Sequence, residues 1–450
     1  MNQAELQEAL LDRARQAGFS EAEVYVSAGR SLEVRIFEGE IAHYENSRQI
    51  GVCFRGLADG KMGYAFSEKL DEDAIAFLLE EAASNAAVLA DNEKEDLFAG
   101  EAIEPAPTFD SELARIEPAA VIEAARQIEK GALAADTRIR GVEYALAEYS
   151  EGEHAIANTL GLNVRQRSNL LVAFGMARAE DAGSIKHGTE IWQGRRLSGL
   201  DGQAIGRTAA GLALAQLGAR PVASGTYRIL LDRQAAVDLW KTFLPIFFAD
   251  KIQQGFSLLG DRLGQMIAAP VLSLTDRPRC PASFYWPAFD SEGAATRDTG
   301  LIQAGRLCAV LHNRKTAAKA GTATTGNGFK PSYRAPVQVA TTNCVLEPGP
   351  ASPEDLLHGL DHGLLVTGLS GLHSGTNLVS GDFSLLAEGF AIENGRRIHP
   401  VEQITVAGNF YQLLQSVEAV GSDLWFGLPG GSGQVGSPSL LLSGLAVSGR

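Results

Sequence analysis

Along the first half of this chain, hydrophobic and polar positions change period in an order that repeats. Residues 3–17 place apolar side chains at helical spacing. VYVSAG, SLEVRIFEGE, IAHYENS, QIGVCFRG and KMGYAF then alternate with period two, and DEDAIAFLLEEAASNAAVLA returns to helical spacing. The order then recurs. PAAVIEAARQIEKGALAAD is helical, IRGVEYALAEYSEG, EHAIANTLG, LNVRQRSNLLVAFGMARAE and GSIKHGTEIWQG read as longer strands, and GQAIGRTAAGLALAQLG is helical again. Two copies of helix, antiparallel strands and helix are therefore expected, in residues 1–90 and 111–220. The stretch 91–110 between them is acidic, carries Pro105 and Pro107, and reads as a linker.

A boundary near Arg220 and Pro221 opens a third region, 225–450, richer in glycine and less regular. After the strand YRILLD comes the helical pattern RQAAVDLWKTFLPIFFADKIQQG, which Pro245 should kink or end because its ring removes a backbone donor. Short strand-like segments follow, and Asn394-Gly395 between FAIE and RRIHPV signals a two-residue hairpin turn. The expected fold class is α+β: a duplicated helix and antiparallel-sheet region, then a mostly β domain of barrel or sandwich type.

Composition narrows the function classes. At 450 residues, 45% hydrophobic and 21% charged, the chain suits a globular protein of two or three domains. Its net charge of -15 is unevenly spread, since residues 1–110 hold 23 acids against 9 bases and the remainder is close to balanced. An acidic first region with no compensating basic stripe disfavours direct nucleic-acid binding. Cys53, Cys280, Cys308 and Cys344 are scattered, without CxxC, and read as buried thiols in a reducing compartment. The N-terminal segment reads as a charged amphipathic helix rather than a secretion signal, and no apolar run reaches the roughly 20 residues of a membrane span. A cytoplasmic location is expected.

Candidate chemistry concentrates late in the chain. GLSGLHSGTNLVSGDFSLLAEGF gathers His373, Ser374, Asn377, Ser380, Asp382, Phe383 and Ser384 among glycines. A hydrolase would use Ser374 or Ser380 with His373 and Asp382, but residues so close in sequence seldom form a triad. A hairpin whose side chains satisfy backbone groups, or a noncatalytic peptide-binding cleft, is the better account. His358 and His362 would share a helical face, as zinc pairs often do, yet no third ligand is apparent. GGSGQVG from Gly430 fits GxGxxG but precedes a strand rather than a helix, and GTATTGNG from Gly321 lacks the lysine of a phosphate loop.

GLHSGTNLVSGDFSLLAEGFAIENGRRIHPVEQITVAGNF, LHNRKTAAKAGTATTGNG and GSPSLLLSGLAVSG together resemble the PmbA/TldE side of the TldD/PmbA family, once labelled modulators of DNA gyrase. The resemblance covers nearly the whole chain. It implies TldD-type subunits that are zinc metalloproteases, with HExxxH and a downstream cysteine, and TldE-type subunits that pair with them to handle unstructured peptides. The TldD-type helix resembles LLHEAxGHxxExD. With its last Asp on Asp250, the two His positions fall on Trp240 and Pro245, the Glu on Lys241, and the cysteine position at about Ser432. None of the first three can replace the ligand or base it stands for, Ser432 offers a weak hydroxyl in place of a thiolate, and no His occurs between His187 and His312. The expectation is a subunit without its own cofactor or metal, with zinc in a TldD-like partner. Extended peptides would add as strands near residues 370–390. The alternatives are a stand-alone homodimeric scaffold, acting on a gyrase-associated toxin or antitoxin, and an independent hydrolase built on the His373 cluster.

Overall fold

The computed structural model describes residues 1–88, 96–430 and 433–450. In the N-terminal half, α1 (Gln3–Gln16), β1 (Glu21–Phe37), β2 (Glu40–Ala58), β3 (Lys61–Ser67) and α2 (Glu72–Val88) are followed by α3 (Pro118–Leu133), β4 (Ile139–Asn158), β5 (Asn163–Asp181), β6 (Ser184–Gly194) and α4 (Gly202–Ala215). Local chemistry sets the ends of these elements. Asn2 and Glu5 form a reciprocal cap on α1, Pro118 opens α3, and Asp201 caps α4 through the Ala204 N–H.

The two repeats do not make two sheets. Their first strands, β1 and β4, pair antiparallel from Glu23 opposite Asn158 to Ile36 opposite Ala145, giving one six-stranded sheet in the order β3-β2-β1-β4-β5-β6. Strands are longer than their hydrophobic patterning suggests. VYVSAG and SLEVRIFEGE fuse into β1, and IAHYENS and QIGVCFRG into β2, because Gly29 and Ser47 are ordinary paired positions rather than turns. Leu6, Leu10, Ile75 and Leu78 bury one copy's helices on the sheet, and Val121, Ile128, Ala209 and Ala213 bury the other's. The opposite face faces the C-terminal region.

That region begins with β7 (Gly225–Leu231), α5 (Arg233–Phe243) and α6 (Ala249–Gln253). Next come β8 (Leu274–Asp276), β9 (Thr299–Gln303), β10 (Arg306–Leu307), α7 (Arg314–Ala320), β11 (Gly328–Phe329), β12 (Gln338–Val339), β13 (Asn343–Leu346) and α8 (Pro353–Leu360). The chain ends with β14 (Gly363–Ser370), β15 (Asp382–Glu393), β16 (Arg396–Asn409), α9 (Phe410–Gln415), β17 (Val417–Val420), β18 (Trp425–Phe426), β19 (Gln434–Ser437) and β20 (Leu440–Ser448). Strands run β16-β15-β14-β7-β20, and β16 also pairs with β20, so five strands close a barrel. A second sheet follows the order β10-β9-β8-β13-β19-β18. Asn394 and Gly395 turn β15 into β16 with φ of 51° and 67°, as the hairpin signal required.

Pro245 ends α5 as expected, the backbone tightening into a 3-10 turn at Leu244–Phe247. Two expectations fail. Cys53, Cys280 and Cys344 are buried, but Cys308 is exposed on the loop after β10. His358 and His362 do not share a helical face, because α8 stops at Leu360 and Asp361 turns the chain at φ 56°. Both imidazoles are exposed, with His362 Nδ1 3.0 Å from an Asp361 oxygen.

Candidate functional site

The residues singled out near 373–383 form the turn between β14 and β15 and the first two positions of β15. Asn377 Oδ1 accepts from the N–H groups of Val379 and Ser380, at 3.0 and 3.1 Å, and the Ser374 hydroxyl contacts its own turn at Gly371 O. Asp382 accepts from Asn409 Nδ2 at 2.8 Å, and that bond holds its carboxyl below the usual range. Phe383 is buried in the barrel core. His373 is exposed, and among the described residues no hydrogen bond joins it to Ser374, Ser380 or Asp382. The geometry is that of a turn whose side chains serve its own backbone. Strand addition has no free edge at the flanking strands either, since β14 lies between β7 and β15 and β15 between β14 and β16.

The positions aligned with the protease motif do converge, though not as ligands. Trp240 is 2% exposed and meets Phe410 edge-to-face at 5.2 Å, beside the stacked Phe243–Phe410 pair. Pro245 belongs to the 3-10 turn. Lys241 is exposed on the same helix, and its Nζ lies 3.8 Å from the point where a Cβ on Gly430 would sit. Helix α5 thus approaches Gly430. Ser432 lies outside the described residues.

Next to Gly430 the structure shows a cleft that the sequence alone did not single out. It is a cavity of about 430 Å³ between the open face of the N-terminal sheet and the C-terminal region, with Pro429 and Gly430 in its lining. The floor follows sheet register: His154 and Gln166 form one row across β4 and β5, and Gly152 and Ser168 form the next. Phe284, Trp286 and Phe289 lie opposite, on the loop after β8. Gln166 clamps floor to roof through its amide, donating to Trp286 O and accepting from Ala288 N, both at 2.8 Å. Arg195 donates to the carbonyls of Phe284 and Asn169.

The polar groups here are perturbed by enclosure. The Tyr25 hydroxyl lies 3.0 Å from His154 Nδ1. Burial pushes the phenol up to about 12, and the atoms crowded around the imidazole hold it below its ordinary range although the side chain keeps an exposed edge. With a neutral imidazole we assign the phenol as donor, which leaves the ring proton on Nε2. Asp290 accepts from the N–H groups of Glu292, Ala294 and Gly328, at 2.8 to 3.0 Å. Burial, reinforced by neighbouring Glu292, raises its carboxyl to about 8. Burial raises Glu292 as well, against the Arg314 N–H that it accepts. The sequence signal for this cleft is faint: Ser150, Gly152 and His154 alternate with outward residues in β4, but what faces them comes from residues more than a hundred positions away.

Profiles described as PmbA/TldA metallopeptidase domain 1, central domain and C-terminal domain match residues 22–86, 111–217 and 224–449. The chain belongs to the PmbA/TldD family. A Methanothermobacter thermautotrophicus protein named metalloprotease is 28% identical over 92% of this chain and 91% of its own length. Metalloprotease PmbA of Escherichia coli O157:H7 is 26% identical over 90% of this chain and 88% of its own. Among solved structures, a Thermotoga maritima protein described as a candidate modulator of DNA gyrase superposes with a TM-score of 0.89 at 31% identity, over 99% of this chain and all of that one. TldE from Thermococcus kodakarensis superposes at 0.90 with 23% identity, over 99% and 100%, and shares the fold.

The family name implies a metal, and the residues at the aligned positions do not fit one. An indole inside the core has no lone pair to offer, proline has no side-chain donor, and a lysine ammonium repels a dication. Among the described residues, no three His, Cys, Asp or Glu side chains are grouped to hold a metal ion.

Proposed function

We propose that this member of the family is the metal-free subunit of a two-component peptidase acting on unstructured peptides, with zinc and hydrolysis supplied by a TldD-like partner. The observation that carries the reading is Trp240. At the position aligned with the first histidine, the side chain is committed to the barrel-side core against Phe410. A ligand there would have to leave the core to reach a metal. Loss of donors at Trp240, Lys241 and Pro245 together suits an accepted noncatalytic role. The cleft beside Gly430 gives this subunit a surface with which to hold peptide.

The test is reconstitution. The purified chain, a TldD-like subunit carrying HExxxH, and their mixture are assayed on an unstructured peptide, with zinc measured in each sample. Cleavage is expected only when the TldD-like subunit is present, with zinc following that subunit. Full activity of this chain alone, or one zinc per chain in isolation, overturns the proposal.

A further inference from the structure

Lys330 lines the cleft, and among the described residues no carboxylate pairs with it. Its Nζ lies 3.2 Å from Ala335 O and 3.5 Å from Cys53 Sγ, and 5.6 and 6.0 Å from the ring centroids of Tyr25 and Tyr64. A carbonyl, a thiol and ring faces replace only part of the water that a half-buried ammonium gives up. The nearby acids are occupied elsewhere. Glu151 pairs with Arg167 at 2.6 Å and accepts the Tyr149 hydroxyl, and Asp290 directs its oxygens at three backbone N–H groups. Arg195 spends donors on carbonyls, and among the described residues that line the cavity Lys330 is the one lysine or arginine.

The rest of the lining suits an apolar body. Gly152 keeps the floor low, and Phe284 and Trp286 supply aromatic faces above it. A volume of about 430 Å³ takes a small group or the end of a chain rather than a folded partner. His154 and Tyr25 add neutral hydrogen-bonding groups beside the cation.

We propose that the cleft receives the free C-terminal carboxylate of a peptide ending in a large apolar residue, with Lys330 meeting the carboxylate and Phe284 and Trp286 covering the terminal side chain. The choice of a peptide end as ligand rests on the peptide-handling function proposed above. Capture of a terminal carboxylate by converging donors is an established mode of peptide recognition. A charge-assisted contact of this kind discriminates sharply against the neutral amide.

Calorimetric titration of the full chain tests it, with an acetylated hexapeptide ending in phenylalanine supplied as free acid or as C-terminal amide, and with N-acetylphenylalanine. The acid is expected to bind at least tenfold tighter than the amide and than N-acetylphenylalanine. Lys330→Met should abolish the preference for acid over amide without shifting the melting curve. At Gly152 an added Cβ meets only Ser168 Oγ, at 3.6 Å, so Gly152→Ala is tolerated by the strand and begins to fill the floor. Both peptides should then bind more weakly. Equal affinity for acid and amide in the unmodified chain, or no binding of either at millimolar concentration, overturns the site. N-acetylphenylalanine binding as tightly as the peptide acid overturns the assignment to a chain end. A chain that supports cleavage with its partner but shows no acid preference removes this site and leaves the proposed function standing.

Discussion

Replacing Trp240 with histidine restores the first residue of a zinc motif on paper, and the structure says that the protein will suffer for it. Trp240 is 2% exposed and sits edge-to-face on Phe410 at 5.2 Å. The aromatic pair contributes about 0.5–1.5 kcal/mol beyond its area. Shrinking a buried indole leaves a void, and complete truncation of such a residue costs about 3–5 kcal/mol. Imidazole refills part of that volume but brings two ring nitrogens into an apolar cluster, and one left unpaired costs about 1–3 kcal/mol. The net loss is about 4 kcal/mol. For a unit of this size, that lowers the melting temperature by roughly 8–16 °C. Differential scanning calorimetry of wild type and Trp240→His measures the shift, and elemental analysis after zinc incubation measures metal. Lys241→Glu, on the exposed side of the same helix, is the control and should lie within about 0.5 kcal/mol of wild type. A Trp240→His protein melting within about 2 °C of wild type, or retaining one zinc per chain, refutes the claim that this position belongs to the core.

Glu23 and Arg55 form a buried pair at 2.8 Å across β1 and β2, so Glu23→Ala takes the bonded carboxylate from a buried guanidinium, leaving Glu292 as the nearby acid, and should cost about 3 kcal/mol by urea denaturation. In Gly206→Ala the new Cβ would lie 2.0 Å from Ile128 O, forcing α3 and α4 apart; a loss of about 1–3 kcal/mol is expected, and an unchanged denaturation midpoint would show that the helices yield freely. The pH response follows from Asp290, which burial raises to about 8. A folded state that binds its proton more tightly than the unfolded chain draws full stability from this group below the ordinary carboxylate range near pH 4. That contribution is lost as pH rises through about 8, so the melting temperature should fall between pH 5 and 9, and less steeply in Asp290→Asn. Identical slopes for the two proteins would show that Asp290 is not the responsible group.

Much of the fold was legible because its signals are local. The helices near residues 3, 72, 118 and 202 follow apolar spacing and caps such as Asn2 and Asp201, and the Asn394-Gly395 turn needs only its two residues. The His373 cluster could be read as a backbone-satisfying turn for the same reason, since its bonds run over a few residues. The helical pairing of His358 with His362 failed on a single backbone feature, the positive φ of Asp361, which residue spacing does not reveal. The cleft left only the faint alternation of Ser150, Gly152 and His154 in β4. Its floor comes from β4 and β5 and its roof from residues 284–291 and 329–331, and no periodicity links them.

The sequence by itself determined the duplicated order of elements, the acidic first region, the family, and the absence of imidazole, carboxylate or thiol at Trp240, Lys241 and Pro245. These are properties of spacing and side-chain type, fixed before folding begins. Tertiary structure alone decided that two repeats share one sheet, that Trp240 belongs to a core, and that Lys330 stands over Tyr25 and Cys53 facing a cavity. Sheet pairing and burial are long-range outcomes, set by which surfaces lose water together, and a residue's neighbours in sequence carry little record of them.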